Sequence, residues 1–73
     1  MKIKMEHRDI MMLNEDKAKR GMGIIKYLKH CDCKMVASYT KGDIFEAIVI
    51  SPSGSTLTFR TYNDIITSVD IDM

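Results

Sequence analysis

A chain of 73 residues, 45% hydrophobic and 29% charged, has apolar material for one small domain and no more. A net charge of +1 excludes a global pull toward nucleic acid or membrane, and the size argues against a catalytic cleft, which needs a scaffold lining roughly 300 Å³ or more. The charge is uneven: residues 1–34 carry nine Lys and Arg against five Asp and Glu, and residues 35–73 carry two against five.

In chain order, "MKIKME" alternates Lys2 and Lys4 with Ile3 and Met5, the pattern of a short strand or an unpinned leader over 1–13. "HRDIMML" reads equally as a buried strand and as the start of a helix capped by Asp9. Asn14 has the chemistry of an N-cap, with Glu15 and Asp16 where a helix dipole favours negative charge. A helix is therefore expected over 14–30, with Ala18, Met22, Ile25 and Leu28 on one stripe flanked by Ile24. Lys19, Lys26 and His30 fall on the opposite side, with Arg20 nearby. Gly21 and Gly23 oppose a continuous helix by about 1 kcal/mol each, through a kink or a close backbone approach.

From Lys34 the hydrophobic period changes to two. "KMVASYTK" sets Met35, Ala37 and Tyr39 against Val36, Ser38 and Thr40, and "KGD" ends it in a turn. "IFEAIVIS" sets Ile44, Ile48 and Ile50 against Phe45, Ala47 and Val49, and "SPSGS" is a hairpin loop. "TLTFRTY" points Leu57 and Phe59 inward, and "YND" turns the chain again. "IITSVDID" groups Ile65, Val69 and Ile71 against Ile66, Ser68, Asp70 and Asp72. The expected architecture is α+β in a single domain over 1–73: one amphipathic helix packed on a four-stranded antiparallel meander over 34–72. The alternative is a small open β-barrel with an N-terminal helix.

The most chemical-looking stretch is "KHCDCK". Together with His7, residues His30, Cys31 and Cys33 make a four-ligand count for a zinc site. Their spacing does not match a zinc knuckle, so the pair of cysteines reads first as buried filler where a helix meets a strand. Lys17, Lys19, Arg20, Lys26, Lys29 and Lys34 form a basic set, with Tyr27 near enough to stack on a base. Asp43, Glu46, Asp64, Asp70 and Asp72 form the acidic pole. No nucleophile elbow or phosphate loop occurs. The β run at 44–50 is apolar on both faces, while one helix covers only one.

These features point to a non-enzymatic module that binds a macromolecular protein partner, or a second copy of itself, without a cofactor. Chains of this size are frequent among phage and mobile-element genes, where they act by occluding a host enzyme or defence complex. The expected contact residues are Lys19, Arg20, Lys26, Glu46, Tyr62, Ile66 and Asp70. Rival readings are a nucleic-acid binder using the basic helix, and a domain stapled by metal. No secretory signal or membrane span is visible, so a cytoplasmic location is expected.

Overall fold

A computed structural model describes all 73 residues. It places β1 at Lys2–Lys4, α1 at His7–Lys19, α2 at Ile24–His30, β2 at Lys34–Lys41, β3 at Ile44–Ile50, β4 at Thr56–Tyr62 and β5 at Ile65–Asp72. The strands form one antiparallel sheet in the order β1-β5-β4-β3-β2. β1 and β2 remain separate edges, so the sheet is open rather than a barrel. The fold is α+β, with both helices on one face.

The structure settles two alternatives that the sequence left open and corrects one expectation. The opening "KIK" is a fifth strand, fixed by pairing with the end of β5 rather than left as a leader. Residues 7–13 are helical. The single helix expected over 14–30 is two helices, because Gly21 takes φ of 63°, a left-handed conformation that ends α1. Asn14 therefore lies inside α1 and caps nothing on it. Its carboxamide reaches across to β5, accepting the Ile66 N–H at 2.8 Å and donating to the Ile66 carbonyl at 2.9 Å.

The core is built by alternation on β3 and β4. Ala47 and Val49 stand across from Phe59 and Leu57, and α1 and α2 lower Ile10, Ile24 and Leu28 onto them. Val49, Val69, Ile66 and Leu28 are nearly inaccessible, each contributing roughly 1.5–3 kcal/mol through burial. Two bulges reset the alternation elsewhere. In β5, Thr67 is skipped in the register between Ile66 opposite Thr61 and Ser68 opposite Arg60. Its hydroxyl donates to the Arg60 carbonyl. Ile66 and Val69 consequently share the inner face, and Ile65 turns outward, the reverse of the expected assignment for these two isoleucines. In β2, a bulge at Val36 separates Met35, across from Val49, from Ala37 and Tyr39 on the outer face.

The turns follow the chemistry the sequence supplied. Asn63 and Asp64 both take positive φ, 50° and 68°, as a two-residue primed hairpin requires. The helix stripe is also re-aimed: Tyr27 joins Ile24 and Leu28 inside, while Ala18 and Ile25 are exposed. The buried Tyr27 hydroxyl donates to Asp16 Oδ2 at 2.9 Å, tying α2 to α1. Burial, then this bond to a carboxylate, pushes the Tyr27 phenol well above its ordinary range.

Asp16 also accepts from Arg20 Nε at 3.1 and 3.2 Å. The Tyr27 hydrogen bond, then the Arg20 guanidinium, hold its carboxyl below the usual carboxylate range. A depressed folded-state value means stability that is present above the unfolded value of about 4 and lost as pH falls through the folded value. Thermal melts from about pH 7 down to about pH 2 should show the wild type losing stability in that window. Asp16→Asn should melt lower at neutral pH and show a shallower acid decline. Parallel curves would remove Asp16 from the acid response.

Candidate functional site

The helices leave one face of the sheet bare, and the register defines what that face displays. One row crosses it as Tyr39, Glu46, Arg60 and Ser68, and the next as Ala37, Ile48, Thr58, Asp70 and Lys4. Tyr62 and Ile65 stand opposite each other beyond the first row. Tyr39, Tyr62 and Ile65 are each more than half exposed, and Ile48 and Ile50 just over a third. Scattered exposed apolar residues are ordinary, but these occupy neighbouring positions on one rigid surface. A shallow depression of about 140 Å³ lies among Ala37, Ser38, Tyr39, Glu46, Ile48 and Thr58. Arg60 Nη2 sits 3.5 Å from Glu46 Oε1, so the charges at the middle of the face largely cancel.

Asp70 is the exception to that balance. Its Oδ1 is buried with no hydrogen-bond donor, although Thr58 and Lys4 flank it in register. A buried acceptor left unpaired costs about 1–3 kcal/mol.

Of the expected contact residues, Glu46, Tyr62 and Asp70 share this face. Ile66 does not: the Thr67 bulge turns it into the core, where it is 2% exposed. Lys19, Arg20 and Lys26 belong to the helical layer, on the other side of the sheet. Lys19 lies 3.7 Å from Glu15, and Arg20 is held by Asp16. Lys26 borders an open concavity of about 410 Å³ with Ile25, Lys29 and Asp64. The expected set therefore splits between two sides of the molecule. Tyr39 and Ile65 complete the open face. Tyr39 was visible as an aromatic on an alternating strand, whereas Ile65 was hidden by the bulge.

The continuous basic face foreseen for the helix is also dispersed. Lys17 is buried at 7% exposure, its Nζ 3.1 Å from Asp64 Oδ2. The other Asp64 oxygen accepts the Ile24 N–H at 2.9 Å, at the start of α2. One turn residue thus neutralises a buried lysine and caps a helix. Tyr27, read as a stacking platform, is inside the protein.

"KHCDCK" is a helix stop. The Asp32 N–H bonds to the Lys29 carbonyl and the Cys33 N–H to the Leu28 carbonyl, with Asp32 at φ of 59°. This is a Schellman closure with aspartate where glycine is usual, and its apolar contact sets Cys33 against the core. Burial, then the nearby Cys31 and Asp32 charges, push the Cys33 thiol up. Cys31 is exposed, and the His30 ring stacks on Tyr27 at 6.4 Å between centroids. No three His, Cys, Asp or Glu side chains converge to hold a metal ion.

Neither helix is long and apolar enough to cross a membrane. No protein-family model, curated protein or solved structure matches the chain.

Proposed function

We propose that the chain is a non-enzymatic protein-binding module whose open sheet face covers a surface of a macromolecular partner. The observation carrying this reading is the cluster of Tyr39, Ile48, Tyr62 and Ile65, exposed on a face that no element of the chain shields. Interfaces concentrate aromatic and apolar groups at the centre and place charge around them. Here the Glu46–Arg60 pair supplies a self-neutralised polar contact, with Lys41 and Asp72 toward the rim. Rigidity favours the same reading, because side chains projecting from a hydrogen-bonded sheet lose little freedom on docking.

Nucleic-acid binding has less behind it. Of the basic set, Lys17 is buried against Asp64, Lys19 and Arg20 are paired with acids one turn away, and the open sheet face carries Asp70 and Asp72. The test uses the immobilised protein as bait in a lysate of the native host. A partner retained by wild type and by Lys19→Glu/Lys26→Glu, but lost by Tyr39→Thr/Ile48→Thr, supports the reading. A partner retained by the sheet-face variant and lost by the helix variant sinks it.

A further inference from the structure

The two edges of the sheet are finished differently. Along β5, β1 pairs with Asp70–Asp72, the Met5 N–H bonds to the Val69 carbonyl, and Asn14 takes both backbone groups of Ile66. Along β2 there is no such cover. All eight residues, Lys34–Lys41, are exposed, and no hydrogen bond reaches them beyond the ladder with β3. Lys41 and Ile44 flank a two-residue turn and bond to each other across it, as does every second pair after them. Ser38 and Thr40 therefore direct N–H and C=O outward, into solvent.

An open edge is a template for another strand. Its chemistry selects which strand. β2 begins and ends with lysine and carries no acid. The Val36 bulge puts Lys34 and Lys41 on the same, open face of the sheet, across from Ile50 and Ile44. Two copies meeting edge to edge would set lysine against lysine at each end of the pairing without a counter-charge. The lysines thus oppose self-pairing and favour an acidic strand. The same register of lysine opposite aspartate already occurs once in the sheet, where Lys2 and Lys4 of β1 stand across from Asp72 and Asp70 of β5.

We propose that β2 is a docking edge for an extended acidic segment of a protein partner, which adds as a sixth strand beside Ser38 and Thr40. This rests on the reading of the chain as a protein-binding module and specifies the strand and the chemistry of capture. The depression lined by Ala37, Ser38 and Tyr39 begins at this edge, so a side chain of the added strand can pass from the edge onto the open face.

Isotope-labelled protein is titrated to about millimolar concentration, the range suited to a short strand, with the peptide Thr-Ser-Val-Asp-Ile-Asp. A second peptide carries lysine at both aspartate positions. The acidic peptide should shift the amide resonances of residues 35–41 and slow hydrogen exchange at Ser38 and Thr40. The lysine peptide should bind about tenfold more weakly. Lys34→Glu/Lys41→Glu should reverse the preference while keeping the same melting temperature. Shifts absent from β2, shifts confined to the open face or the β5 edge, or equal affinity for both peptides would overturn the proposal. The bait comparison above judges the open face by its side chains, since Tyr39→Thr/Ile48→Thr leaves the β2 backbone and its two lysines in place. A partner lost by Tyr39→Thr/Ile48→Thr together with a silent β2 removes the edge proposal alone.

Discussion

Asp64→Ala is expected to lower stability by about 3 kcal/mol, more than any other single change on a half-exposed residue of this protein. The side chain looks dispensable, since it sits in a hairpin turn and is 49% exposed. Its two oxygens nevertheless serve two buried donors from different elements, the Lys17 ammonium and the Ile24 amide. Removing it leaves a cation inside the fold and a helix start unsatisfied, and puts alanine at φ of 68°, a left-handed conformation that aspartate tolerates better. For a domain of this size the loss corresponds to a melting temperature lower by roughly 12–24 °C.

Asp64→Asn should cost less, because an amide keeps the φ preference and an acceptor for Ile24. Lys17→Met added to Asp64→Asn should recover part of the loss, since the stranded charge is gone. Circular-dichroism melts of the two single variants and the double variant measure the coupling. Strict additivity would mean that Lys17 and Asp64 do not form the pair described.

The open face gives the second large effect, with the opposite profile. Tyr39→Thr/Ile48→Thr should weaken partner binding about 100-fold, the scale expected when two central anchors are truncated. Threonine keeps a good strand former at both positions, and neither side chain is packed in the core, so the melting temperature should stay within about 5 °C of wild type. Lys19→Glu/Lys26→Glu should bind as wild type does. Titration of the captured partner against the three proteins gives the affinities. A double variant that binds within about threefold of wild type would mean that the face is not the contact surface.

β3 and β4 were legible because nothing interrupts their alternation: Phe45, Ala47, Val49, Leu57 and Phe59 all point where a period of two sends them. β2 and β5 were legible as strands but not in phase. Val36 and Thr67 are both good strand formers, and neither carries the glycine that would advertise a bulge. The helices failed for another reason. Asn14, Glu15 and Asp16 have the composition of a helix start, yet Asn14 serves β5 and Asp16 serves Tyr27 and Arg20. Side chains that work through tertiary contacts look locally like caps and surface charge.

The same limit hid Lys17 and Asp64, which meet across 47 positions of sequence. A lysine on a helix reads as solvated until a partner closes over it. The face itself was half visible: a strand at 44–50 apolar on both sides implies that one side needs cover, without saying which, and Glu46, Tyr62 and Asp70 are among the expected contact residues. What could not be read was that the basic helix residues lie on the other side of the sheet.

The three-residue strand β1 has a consequence for how copies of this protein coexist at high concentration. Its residues are all exposed, and it covers Asp70–Asp72 with a short ladder and two lysine–aspartate pairings. Were it to peel away, the sheet would carry an acidic rim on β5 and a basic rim on β2. Each copy could then add its acidic rim to the basic rim of the next, a head-to-tail join that nothing closes into a ring. While it is paired, β1 occupies the acidic rim that such a join would use.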